Sequence, residues 1–284
     1  MTGPAAVEQL LVAGTRIAYR RRPGDGPPTI YVHGVPTDSR QWLPFLERHE
    51  GDAIAFDLPG FGASERPPAT GFDYSMAGLR RIAGEFVDGL GIAEYRLVVH
   101  DWGALALAAA LAEPERLQRL VVIDSVPVLP GYRWHRTARI WRTRGLGELF
   151  FATAGLPFVR LALREARPGF RPMPDDFVEM VWSNVRDPAT RRAILALYRS
   201  ADPPALAAAG AGLERVGCPA LVVWGAADPY IPARFAGDYA SRLPGAERVE
   251  LADAGHWPWI DRPDVVDRTV AFVTEPAADL DSPE

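Results

Sequence analysis

Short apolar runs recur along this chain, and most are separated by stretches of helical periodicity. Val7 to Val12 and Thr15 to Tyr19, split by Ala13-Gly14, predict a hairpin at a sheet edge. Thr29 to Val32, Ala53 to Phe56, Leu97 to Val99, Leu120 to Ile123, Ala220 to Trp224 and Glu247 to Leu251 each read as one short strand. Between them, Trp42 to Leu46 predicts a short helix. Ser75 caps a longer one that carries Leu79, Ile82, Phe86 and Leu90 on one face and stops at Gly91. Gly103 with Ala104 to Ala112, Pro232 to Arg242 and Pro263 to Val273 supply further helices. Strands alternating with helices predict an α/β fold whose mostly parallel sheet has helices on both faces.

The alternation breaks after Asp124. From Pro127 to about Ala205 the chain carries Trp134, Trp141, Trp182, Phe150-Phe151 and several prolines, with no strand signal. Such a helical, aromatic insertion reads as a lid over the carboxyl ends of the strands. The expected organisation is core over 1–125, lid over 126–205, core again over 206–275, and an acidic tail over 276–284 expected to be disordered. Arg133, Arg136, Arg139, Arg142 and Arg144 are expected on the lid's solvated face.

Composition narrows the function classes. At 284 residues the chain can bury a large core without staples, and its single cysteine, Cys218, forms no internal bridge and is expected as a small buried hydrophobe. A net charge of −5, with the positive charges not collected into one long basic run, argues against a nucleic-acid partner. Met1 to Leu11 lacks a signal-peptide pattern, and the longest apolar run is too short to span a bilayer, so the expectation is a cytoplasmic protein without a membrane partner.

The chemistry centres on Leu97-Val98-Val99-His100-Asp101-Trp102-Gly103, where a buried strand turns sharply into a helix and thrusts its apex side chain over the sheet. The apex is Asp101. A carboxylate there can attack an sp³ carbon bearing a leaving group and form an alkyl ester that water must hydrolyse, which points to C–O or C–halogen bonds. The competing reading is a buried aspartate that only braces the turn. His100-Asp101-Trp102-Gly103 resembles the nucleophile elbow of the α/β-hydrolase superfamily, in the branch of epoxide hydrolases and haloalkane dehalogenases. His33-Gly34-Val35-Pro36 is similar to the same branch's oxyanion loop. That resemblance implies an α/β-hydrolase fold, with the Val35 and Trp102 N–H groups holding negative charge on the ester and His33, Pro36, Trp134, Trp141 and Trp257 lining the substrate. Asp57 to Ser64 resembles a glycine loop of the superfamily that serves turn geometry.

The order nucleophile, acid, histidine is matched by Asp101, Asp228 and His256, each just beyond an expected strand. His256 would deprotonate the attacking water and Asp228 would orient it. Asp124, at the end of the preceding strand, is the rival acid. Tyr198 resembles the second lid tyrosine of epoxide hydrolases, which protonates the opening ring; Tyr132, Trp134, His135 and Trp141 are candidates for the other donor. The expectation is therefore an epoxide hydrolase acting on a small apolar epoxide with water, without metal or cofactor. The alternative is a haloalkane dehalogenase, in which Trp102 and a lid tryptophan (Trp134, Trp141 or Trp182) bind halide, Val35 offering no side-chain donor. A non-catalytic binding protein is the third reading.

Overall fold

The computed structural model describes residues 6–275. Eight strands form one sheet: β1 (Val7–Val12), β2 (Thr15–Arg22), β3 (Thr29–Val32), β4 (Ala53–Phe56), β5 (Tyr95–Asp101), β6 (Leu117–Ser125), β7 (Ala220–Gly225) and β8 (Glu247–Leu251), in the order β1-β2-β4-β3-β5-β6-β7-β8. β1 and β2 join antiparallel and the rest run parallel. β3 and β5 lie at the centre and are almost wholly buried, as expected of strands covered on both faces. β2 runs three residues past its expected end. Arg21 and Arg22 pair with Ile54 and Ala53 of β4, and the Arg21 guanidinium forks onto Asp52 at 2.8 and 2.9 Å, so a charged pair of residues is accommodated in a strand.

The helix Met76–Gly89 starts where the Ser75 hydroxyl accepts the Gly78 N–H at 3.2 Å, and it buries Leu79, Ile82, Ala83, Phe86 and Val87 against the sheet. Phe86 stacks on Phe56 of β4 at 4.3 Å between ring centroids. Burying a side chain of that size is worth roughly 2–3 kcal/mol. The helix after β5 spans Ala104–Ala110, and the closing helix Asp264–Thr274 is preceded by a short turn of helix, Pro258–Asp261.

Between β6 and β7 the chain forms helices Arg136–Arg142, Leu146–Thr153, Leu156–Ala162, Asp175–Val185, Pro188–Ser200 and Pro203–Ala209, with no strand among the described residues. No single helix there is long and apolar enough to cross a membrane. The expected tail over 276–284 lies outside the described residues. Cys218 is half-buried, and burial pushes its thiol up to about 11.

Candidate active site

Asp101 ends β5 with φ +49°, the left-handed conformation that L residues rarely adopt. The turn is tight because Gly103 lies against the neighbouring strand: a Cβ there would sit 2.3 Å from the Val32 carbonyl oxygen. The loop after β3 closes on the same carboxylate. Val35 donates its N–H to Asp101 Oδ1 at 3.0 Å, and the Trp102 N–H adds a second bond. A Cβ on Gly34 would fall 2.3 Å from the Asp101 Cβ, so only glycine lets the loop approach this closely. Val35 and Pro36 are joined by a cis peptide bond.

His33 braces that loop from behind. Its Nε2 accepts the Leu58 N–H at 2.9 Å, which leaves the proton on Nδ1 to be donated to the Gly34 carbonyl at 2.7 Å. The ring is fully buried and both nitrogens are engaged with backbone, so His33 holds the loop and does not reach substrate as expected from the sequence.

Asp228 and His256 meet Asp101 at the same sheet edge. His256 Nδ1 lies 2.8 Å from Asp228 Oδ2, and its Nε2 lies 3.7 Å from Asp101 Oδ2. The other Asp228 oxygen accepts the Tyr230 and Ile231 N–H groups at 2.7 and 3.1 Å, which aims its partner at the imidazole. Burial pulls the His256 pKa down, but the Asp228 and Asp101 charges overcome it and leave the pKa raised. Asp101 moves up to about 6, chiefly through burial, with His256 and the two backbone N–H groups pulling the other way.

Asp124, the rival acid, is fully buried at the end of β6 with φ +35°. Its two oxygens receive the Gly225 N–H at 3.0 and 3.2 Å. Burial and the adjacent Asp228 charge hold its carboxyl well above the usual range, which favours the protonated form hydrogen-bonded to Asp228. The geometry thus gives the imidazole to Asp228 and makes Asp124 a neutral neighbour. The donor atoms of Asp124, Asp228 and His256 lie within 4.8 Å of one another. They are already spent on each other and on backbone, which suits a hydrogen-bond relay better than a metal centre.

The insertion reaches this site directly. Ala166 accepts the His256 N–H at 3.0 Å, and a Cβ on Gly255 would collide with that carbonyl at 2.0 Å. Asp261, its side chain inaccessible to solvent, receives Arg167 and Arg171 at 2.8 Å each and the Gly255 N–H at 3.0 Å. This clamp ties insertion to histidine loop, and the sequence reading missed it because 94 residues separate Arg167 from Asp261.

Above Asp101 stands an aromatic cage. Trp134 stacks on Trp102 with centroids 5.8 Å apart, and Tyr198 lies 5.1 Å from Trp102 and 5.3 Å from Trp134. Trp141 backs Tyr198 at 4.9 Å. Trp257 lies against the His256 ring at 4.7 Å and against Phe177 at 5.0 Å. Tyr132 touches Trp134, and the Asp101 and Asp228 charges act on its hydroxyl. The indole N–H groups of Trp102, Trp134, Trp141 and Trp257 are buried without a hydrogen-bond partner. That of Trp102 is close to the Tyr198 hydroxyl without closing a bond in good geometry. Tyr198 is held far up in pKa by burial and then by Asp101. His135 spends Nδ1 on capping the helix Arg136–Arg142, and Trp182 forms no ring contact in this cage. Arg142, expected on the solvated face, instead turns inward: it sits 5.1 Å over Trp134 and donates to the Tyr198 carbonyl.

The chain matches the alpha/beta hydrolase fold family over residues 27–263. It is 27% identical to a haloalkane dehalogenase of Mesorhizobium japonicum over 93% of this chain and 89% of that one. It is 31% identical to a 2-hydroxymuconate semialdehyde hydrolase of Pseudomonas putida over 91% and 90%. The crystal structure of the haloalkane dehalogenase DbeA from Bradyrhizobium elkani superposes with a TM-score of 0.80 at 27% identity, covering 94% of this chain and 96% of that one.

Proposed function

The chain belongs to the α/β hydrolase family, and on that premise we propose that it is a hydrolase of the aspartate-nucleophile kind that cleaves carbon–halogen bonds. The ionised Asp101 Oδ2 attacks the carbon bearing the halogen, the halide leaves with the bonding electrons, and an alkyl ester forms. His256 then takes a proton from water, whose oxygen attacks the ester carbonyl. The Val35 and Trp102 N–H groups receive the oxyanion; collapse expels the alkoxide, which leaves as the alcohol with the proton of the added hydroxyl, restoring the Asp101 carboxylate, and His256 returns its proton to solvent. Alkylation removes the negative charge that Asp101 places beside His256, so the imidazole loses one of the two charges raising its pKa and its neutral form, the one able to accept a proton from water, is favoured in the second step.

The observation that carries this reading is the pair of stacked tryptophans beside Asp101 with free, buried indole N–H groups. A buried donor without a partner is costly unless an anion visits it, and a departing halide is such an anion. Trp134 supplies the donor that Val35 cannot. The haloalkane dehalogenase names among the relatives support the same choice.

This reverses the order expected from the sequence, where epoxide opening came first. That second reading rests on Tyr198: its hydroxyl, protonated at any physiological pH, faces the field of Asp101 and could protonate an epoxide oxygen. Under either reading the insertion over 126–205 serves as the lid. Steady-state bromide release from 1-bromobutane, with Asp101→Asn as the control, tests the proposal. Release that depends on Asp101 supports it, whereas diol formation from styrene oxide without any bromide release from haloalkanes would replace it with the epoxide reading.

A further inference from the structure

The chain exposes few large apolar side chains, and they are unevenly placed. Of the seven exposed among the described residues, five (Leu146, Leu149, Phe158, Leu161 and Phe170) fall within the insertion between 146 and 170. Leu146 and Leu149 share one face of the helix Leu146–Thr153, and Phe158 and Leu161 share one face of Leu156–Ala162. The two helices meet at a bend of 110°, and Phe150 touches Phe158 at 5.3 Å across the bend. The faces therefore form a connected apolar knuckle about 50% exposed at its leucines and phenylalanines, unlike the scattered single side chains of an ordinary surface.

Charge identifies what the knuckle fits. Residues 133–171 hold nine arginines and two glutamates, a formal charge of +7 in a chain whose net charge is −5. Arg136, Arg139 and Arg144 are exposed beside it and pair with no carboxylate among the described residues. Of the acids nearby, Glu148 is taken up by Arg199 and Asp175 by Arg160. We propose that this basic, apolar knuckle of the insertion docks on an anionic lipid surface, its leucines and phenylalanines entering the interface while the arginines meet phosphate headgroups. Apolar area and basic charge act together in such interfacial helices, and neither helix here is long enough to span. A second copy of the chain fits less well, because a self-complementary pairing would bring the unpaired arginines face to face. The expectation of no membrane partner rests on the lack of a spanning segment, which surface docking does not need. Docking of this kind is independent of which bond Asp101 breaks.

The test is flotation of the whole protein with vesicles of phosphatidylglycerol and phosphatidylcholine in about equal parts, against vesicles of phosphatidylcholine alone. The bound fraction should be at least about five-fold higher on the anionic vesicles and should fall as NaCl rises from about 0.1 to about 0.5 M. Leu149→Ser/Leu161→Ser should lose binding at unchanged Tm, and Arg136→Glu/Arg139→Glu/Arg144→Glu should lose the preference for anionic lipid. Equal or no binding to the two vesicle types would overturn the proposal. So would light scattering that shows a dimer which the leucine variant converts to monomer, because the knuckle would then be covered by a second copy.

Discussion

Asp101→Asn should make the protein more stable in the pH range where the wild type would be active. The carboxylate is 5% exposed and its pKa is raised to about 6, mainly by burial, so its charged form is disfavoured in the folded state. A group with a raised carboxyl pKa contributes most to stability while protonated. Its contribution is intact below the ordinary carboxylate value near ~3.9 and is lost as pH rises through about 6. A shift of about two units corresponds to ~2–3 kcal/mol between about pH 4 and about pH 8. Asparagine has no charge to desolvate, its Oδ1 can still accept the Val35 N–H, and it tolerates the φ of +49° at this position. At ~2–4 °C per kcal/mol for a chain of this size, its Tm should exceed the wild type's by roughly 5–10 °C at about pH 8, and the gap should close toward about pH 4. Differential scanning calorimetry of both proteins across that range measures it. A gap that is absent at pH 8, or one that does not change with pH, would refute the argument that Asp101 is held against its desolvation cost.

Four further outcomes follow from the same geometry. Trp134→Phe keeps the stack on Trp102 but removes one free indole N–H, and should lower kcat/KM for bromide release by roughly ten-fold or more with Tm nearly unchanged. Asp228→Asn should cost at least ~10²-fold in turnover, because His256 loses the partner at 2.8 Å, whereas Asp124→Asn should stay within a few-fold, since an amide can donate to Asp228 as the protonated carboxyl does. Gly34→Ala forces a Cβ to within 2.3 Å of the Asp101 side chain and should abolish activity while lowering stability by ~1–3 kcal/mol, read by urea denaturation. Alkylation of a His256→Gln variant by 1-bromobutane, followed in single turnover, should slow as pH falls, with a midpoint above about 6, because the variant lacks the His256 charge that holds the Asp101 pKa down; a rate independent of pH across that range would remove Asp101 as the ionising nucleophile.

How much of this could be read from the sequence depended on the range over which each interaction acts. Every strand was legible, because β-branched runs such as Val98-Val99 and Val121-Val122 mark central strands by composition alone. The elbow and the Asp228 and His256 loops were legible for a related reason: each sits within a few residues of a strand end, so order along the chain nearly fixes position in space. His33 shows where this fails. Its place in a known loop suggested contact with substrate, yet the Leu58 N–H claims its Nε2 from 25 residues away. Asp124 stays a rival acid in the sequence for the same reason, because only the fold shows that burial and the neighbouring Asp228 charge hold its carboxyl up against the Gly225 N–H. In the insertion, helical periodicity marks a buried face without saying what that face meets. The stack of Trp134 on Trp102 and the inward turn of Arg142 over it depend on how one irregular segment settles on the core.

The central claim is a carbon–halogen bond broken by Asp101 through a covalent ester, and the most direct measurement is the intact mass of His256→Gln after incubation with 1-bromobutane. Without the base that activates water, the ester should accumulate: a mass gain of one butyl group on Asp101, with an equal amount of bromide in solution and no gain in an Asp101→Asn control. No butyl adduct on the folded variant, with a whole-epoxide adduct from styrene oxide in its place, would contradict it.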